Sequence, residues 1–394
     1  MPKPISIIRR TPKRRSEKAP LFRLFATTGA GLEDVLAKEL SGLRAQNIHV
    51  ATRGVAFRGD LEMVYKANLW LRTAHRVLLE ISNFPASNRE ALYEGVRSCP
   101  WLDHLILPGS IAIDAVTHRS EMDHTQFISQ VAKDAIVDQF RDRTGSRPDV
   151  NKRNPDLRVN VRLLENRCTL SIDTSAEKLH RRGYRSEIGV EAPLKETLAA
   201  GILLKSGYDG TQPLRDPMCG SGTILVEGAM IAKNMPPGIL GRRFGFMTHP
   251  LFDKRLWQNI LGDARAGILP DVEVPIVGSD VSEIAVRAVR SAALGAGVDD
   301  IIRIRQADIG DLKEMNSGML VTNPPYGERL GELEVLADLY RLLGDMLKQR
   351  CRGTTSHILT SSKYLAGRIG LKAKKRDILW NGPLECRLLH FDLY

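Results

Sequence analysis

Residues 320–330 read Leu-Val-Thr-Asn-Pro-Pro-Tyr-Gly-Glu-Arg-Leu, and the paired prolines constrain the fold more than any other stretch. Proline has no N–H to give to a ladder, so the apolar run Met319–Val321 reads as a buried strand that stops at Asn323. The stiff turn left behind carries one side-chain amide, Asn323, and one aromatic ring, Tyr326. Open α/β sheets place their ligands at such strand ends. The Asn323 side-chain oxygen and the Pro324 carbonyl are acceptors able to hold an amino group, while Pro325 stiffens the turn and Tyr326 can stack on a flat ring.

From residue 213 the chain repeats strand, turn and helix. Leu214–Thr223 reads Leu-Arg-Asp-Pro-Met-Cys-Gly-Ser-Gly-Thr and runs into an apolar helix over 224–232. Gly220 and Gly222 would let the backbone approach a ligand closely, and the helix N-terminus behind them favours electron-rich groups. Leu at position 225 excludes the dinucleotide Gly-x-Gly-x-x-Gly, and the lack of Gly-Lys-Ser/Thr excludes a P-loop. Pro275–Asp280 reads as a short strand ending in an acid, where a doubly wound site grips a ribose diol. A third strand over 301–305 leads to Asp308. Either acid alone would read as a helix cap. Together, four successive strand ends carry Gly-Ser-Gly, Asp280, Asp308 and Asn-Pro-Pro-Tyr on one rim of a parallel sheet.

The net charge of +11 is unevenly spread. Residues 1–185 hold 31 Lys and Arg against 21 Asp and Glu, whereas the remainder holds 26 against 25. A basic front and a neutral back suggest a part that grips nucleic acid joined to a part that does chemistry. Residues 1–20 form a basic arm with Lys3, Arg9, Arg10, Lys13, Arg14, Arg15 and Lys18. Residues 21–80 read as a ferredoxin-like α+β unit, with a strand at 21–26, a helix at 32–40, a strand at 55–58 and Asp60 capping a helix at 61–71. Within 81–178 come a strand at 110–116, an amphipathic helix at 125–140 and paired strands at 158–164 and 168–173. Arg141, Arg143, Arg147, Lys152 and Arg153 cluster between that helix and hairpin. Residues 179–394 then hold a linker helix, opened by Pro193, and the chemical half. A segment over 235–265 mixes Arg242 and Arg243 with Phe244, Phe246 and Trp257, suiting either nucleic-acid contact or a core flap. Asn381-Gly382 signals a closing hairpin within 378–389.

No apolar run approaches the roughly 18–20 residues of a membrane span, so no membrane partner is expected. Five scattered cysteines without a Cys-x-x-Cys pair suggest neither structural zinc nor disulfides, and point to the cytoplasm.

The block at 81–178 resembles a THUMP domain, an RNA-binding module attached to RNA-modifying enzymes. The ordered strand ends resemble the class I methyltransferases that use S-adenosylmethionine on base amines. The whole arrangement resembles the bacterial large-subunit ribosomal RNA guanine-N2 methyltransferases in their single-methyltransferase form. That resemblance implies an α/β, doubly wound (Rossmann-like) methyltransferase domain behind the two front units. It implies S-adenosylmethionine as cofactor, with Asp216, Gly220 and Gly222 around the methionine and sulfonium, Asp280 on the ribose and Asp308 on the adenine amine. Asn323, Pro324, Pro325 and Tyr326 would be the catalytic turn, and no metal is implied. The partner is RNA, ribosomal first, with no obligate protein partner evident. A transfer-RNA guanine-N2 enzyme, an adenine-N6 enzyme and an RNA-binding assembly factor with a vestigial fold stand as alternatives. Glu328 and Arg329 are near the turn but are not favoured as a base.

Overall fold

A computed structural model describes residues 20–185, 193–327 and 330–394. The basic arm before Pro20, and Glu328 and Arg329, lie outside the described residues.

The front half is one antiparallel-rich sheet covered by helices. In chain order it holds β1 (Phe22–Thr28), α1 (Glu33–Gly42), β2 (Gln46–Ala51), β3 (Gly54–Gly59), α2 (Leu61–Trp70), β4 (Ala74–Pro85) and α3 (Arg89–Arg97). It continues through β5 (Ser110–His118), α4 (Thr125–Thr144), β6 (Asp149–Val150), β7 (Leu157–Leu164) and β8 (Arg167–Asp173). The strand order is β2-β3-β1-β4-β8-β7-β5-β6. Local signals set the elements. Asp60 accepts from Met63 N at 3.0 Å and caps α2. His124 accepts from Phe127 N at 3.1 Å and caps α4. Glu165 and Asn166 both have positive φ, the geometry of a two-residue hairpin turn between β7 and β8. The 12-residue β4 pairs with β1 along its first half and β8 along its second, so the two front units share a single sheet.

The second half runs through α5 (Glu196–Lys205), β9 (Leu214–Asp216), α6 (Thr223–Ala232), α7 (Lys254–Ala266), β10 (Ile276–Asp280), α8 (Glu283–Ala296), β11 (Ile302–Gln306) and β12 (Met319–Thr322). It ends with α9 (Leu330–Arg350), β13 (Thr355–Thr360), α10 (Lys363–Arg368), β14 (Lys375–Asn381) and β15 (Leu384–Asp392). The sheet order is β11-β10-β9-β12-β13-β15-β14, with the first five strands parallel and the terminal hairpin closing it. Successive strand residues point to opposite faces. Met319, Val321, Leu359 and Leu388 accordingly join the core under α5, α6 and α8, while Leu320, Ile358 and Leu389 join the one under α9 and α10. Strand order reverses at β9, so the crevice beyond β9 and β12 is the place for a ligand.

The halves interlock. Leu32 and Val35 at the start of α1 pack into the core of the second half. In return, the aromatic residues of the 235–265 segment enter the front core: Phe244, Phe246 and Trp257 are all buried. Phe246 lies 4.4 Å from Tyr65 between ring centroids, and Trp257 meets Phe246 edge-on at 5.1 Å. Of the two readings of this segment, the aromatic residues therefore follow the core flap. The exit from the front half is also fixed: Arg182 Nε lies 3.3 Å from Glu227 of α6, with both side chains buried, and Tyr184 donates to the same carboxylate at 3.0 Å.

Candidate functional site

A cleft of about 930 Å³ opens at the C-terminal ends of β9, β10, β11 and β12. Asp216, Gly220, Asp280, Asp308, Asn323, Pro324, Pro325 and Tyr326 all line it.

Each polar group is held by its own strand end. Asp280 takes Gly220 N at 2.9 Å on one oxygen and Ser282 N at 2.9 Å on the other. Two backbone donors thus fix the carboxylate, and each oxygen keeps a second lone pair for a ligand. Gly220 has φ +51, and a Cβ added there would meet nothing within 4 Å, so its backbone borders open space. Asp308 stands exposed on the far wall and accepts Gly310 N at 2.7 Å through Oδ1. Asp216 is 1% exposed and accepts Met218 N at 3.2 Å. Burial, reinforced by the charge of Asp280, pushes its carboxyl up to about 7. The thiol of Cys219 is pushed up by burial as well, as suits a packing residue.

Gly222 is the exception. It is buried at the cap of α6 with φ +73, and an added Cβ would sit 2.6 Å from Val289 Cγ2 of α8. Its missing side chain admits a neighbouring helix, not a ligand.

At the opposite wall, Pro324 is buried, Pro325 exposed, and Asn323 and Tyr326 half-buried. The Tyr326 hydroxyl donates to Asn323 Oδ1 at 2.9 Å and accepts from Asn381 Nδ2 at 3.1 Å. Burial pushes this phenol up to about 12, so it stays a neutral donor. The ring packs against apolar residues on both faces of the sheet, leaving only part of it toward the cleft. Val281, 68% exposed and next to Asp280 in the chain, and Ile309, next to Asp308, add apolar lining to the cleft. Asn381 and Leu384 of the closing hairpin also line the cleft. The sequence offered Asn381 only as a turn residue, so this contact had no local signal. Among the described residues no cluster of three or more His, Cys, Asp or Glu is disposed to hold a metal, and no helix is long and apolar enough to cross a membrane.

Comparison with known proteins bears on this cleft. Residues 182–390 match the family described as RMKL-like, methyltransferase domain. Residues 23–78 match the RlmL ferredoxin-like domain, and residues 86–173 the THUMP domain. The ribosomal RNA large subunit methyltransferase K/L of Syntrophotalea carbinolica is 41% identical over 95% of this chain and 54% of its own length. A Synechocystis protein put forward as an RNA methyltransferase is 38% identical over 94% of this chain and 96% of its own. The crystal structure of SMU.472, put forward as a methyltransferase and complexed with SAH, superposes with a TM-score of 0.87. It shares 33% identity, over 95% of this chain and 98% of that one. The chain spans about half the length of the K/L relatives it matches.

Proposed function

This chain belongs to the RMKL-like methyltransferase family, and from that premise we propose that it methylates the exocyclic N2 amine of a guanosine in RNA, with 23S ribosomal RNA as substrate. The observation that carries the reading is the shared cleft, which sets two pinned acids opposite the Asn-Pro-Pro-Tyr turn. The K/L relatives' names supply ribosomal RNA, and the basic front half with its THUMP match supports RNA.

The cofactor is S-adenosylmethionine, and the residues present fit it. Asp280 has spare lone pairs for a ribose diol, and Asp308 a spare oxygen for the adenine amine. The buried carboxyl of Asp216 and the open backbone at Gly220 suit the cationic methionine end, while Gly222 supports that turn from behind. When bound, S-adenosylmethionine supplies an electrophilic methyl group.

The turn's task is to make a poor nucleophile usable. The lone pair of an amine conjugated to its ring is delocalised. Asn323 Oδ1 and the Pro324 carbonyl accept its two hydrogens and favour a tetrahedral nitrogen with its lone pair directed at the methyl. The product sheds its extra proton after transfer, so no strong base is needed beforehand. A base inside a duplex cannot reach this turn, so the substrate is single-stranded or its base is flipped out. The cleft-facing part of Tyr326 then stacks on it. The five cysteines are free and buried, in keeping with a protein that works in the reducing cytoplasm.

Incubation with methyl-labelled S-adenosylmethionine and unmodified 23S ribosomal RNA tests the reading. N2-methylguanosine in the digest is expected, and label in N6-methyladenosine would reassign the base. A protein that gives no heat with S-adenosylmethionine in calorimetry would be the vestigial assembly factor.

A further inference from the structure

We propose that Asn381 is a positioning residue for the reaction, acting through Tyr326 on Asn323. The inference rests on the methyl-transfer reading above. Asn381 lies 58 positions beyond Asn323 and reaches the site from the last sheet hairpin. It pairs with Leu384 across that hairpin, so the two central turn residues are Gly382 and Pro383. Gly382 has φ +63, and proline fixes φ near about −65°, the geometry of a type II′ turn. The positive φ falls on Gly382, so Asn381 is the last strand residue and its side chain is not consumed by the turn. It lines the cleft, and its Nδ2 donates to the Tyr326 hydroxyl at 3.1 Å.

That donation fixes the direction of the relay. A phenol has one hydrogen to give, and with a donor on one side it gives it to the acceptor on the other. The acceptor is Asn323 Oδ1 at 2.9 Å. Oδ1 is thereby held as the inward acceptor, with its second lone pair left for the substrate amine. Without Asn381, the hydroxyl can rotate and the amide can turn its Nδ2 toward the substrate, presenting a donor where an acceptor is required. Removing the relay therefore leaves S-adenosylmethionine binding alone and strikes the transfer step.

Asn381→Asp is the sharpest test, because it keeps the shape and replaces the donor with an acceptor that draws the Tyr326 hydrogen away. With methyl-labelled S-adenosylmethionine and unmodified ribosomal RNA, kcat should fall at least about tenfold while the calorimetric affinity for S-adenosylmethionine stays within about twofold. Asn381→Ala, which adds no charge, should lose kcat in the same sense. In a Tyr326→Phe background neither change should have further effect. The same non-additivity should appear in urea unfolding of Asn381→Ala, Tyr326→Phe and the double variant, which reads the contact without turnover. Retention of kcat within about twofold in Asn381→Asp, or full-sized effects in the Tyr326→Phe background, overturns the inference. If the wild-type protein makes no N2-methylguanosine, the reaction assigned above falls, and additivity or its absence in the unfolding cycle still decides the contact.

Discussion

The Tyr326 hydroxyl donates to Asn323 Oδ1 across 2.9 Å, so the ring proposed to stack on the substrate base also orients the amide proposed to hold its amine. Tyr326→Phe separates the two roles. The ring remains and the donor goes, so single-turnover rates should drop about tenfold while RNA affinity changes little. Tyr326→Ala should in addition weaken RNA binding by about 1–3 kcal/mol, the usual worth of one stacked base, measurable by filter binding.

Asn323 is assigned to the base side of the cleft. Asn323→Ala should cut the transfer rate by at least about a hundredfold and leave the calorimetric affinity for S-adenosylmethionine within about twofold. Loss of both together would move Asn323 to the cofactor side.

With Asp216 assigned to the cationic end of the cofactor, as proposed, binding should depend on pH. Its folded carboxyl sits at about 7, raised by burial from an ordinary value of 3.8. A cationic ligand prefers the carboxylate, so affinity for S-adenosylmethionine should fall as pH drops below 7, by up to about tenfold per unit. The free protein should show the opposite trend. A carboxyl whose folded pKa is raised contributes stability that is complete below the unfolded value and is lost as pH rises through the folded one. Thermal midpoints of the ligand-free protein should therefore decline between about pH 4 and pH 7, and Asp216→Asn should flatten both profiles.

The 235–265 segment is predicted to be structural at its aromatic residues. Phe246→Ala and Trp257→Ala each remove a buried ring from the front core and should cost about 3–5 kcal/mol in denaturant unfolding. A surface pair chosen for RNA contact would instead leave stability near wild type.

The cleft was legible in the sequence because its polar lining sits at strand ends, where short apolar runs stop at Asp216, Asp280 and Asn323. What stayed hidden depends on distant partners. Gly222 looks like a ligand glycine until Val289 of α8 is seen against it. β4 mixes Arg76 and Glu80 among apolar residues, and its neighbours β1 and β8 lie far along the chain on either side. Phe244, Phe246 and Trp257 beside Arg242 and Arg243 have the composition of an RNA-binding strip, and only the packing of Phe246 and Trp257 on Tyr65, with Phe244 stacked on Phe246, makes them core. Asn381 read as half of an Asn-Gly turn. Its real place, one residue before the turn, is set by Pro383, which bars a second positive φ.

Nucleoside mass spectrometry of ribosomal and transfer RNA from a strain lacking this chain is the most direct test of guanosine N2 methylation by this protein. Loss of N2-methylguanosine from the 23S fraction, restored by the wild-type chain and not by Asn323→Ala, is the predicted result. Undiminished N2-methylguanosine in both RNA pools would contradict it.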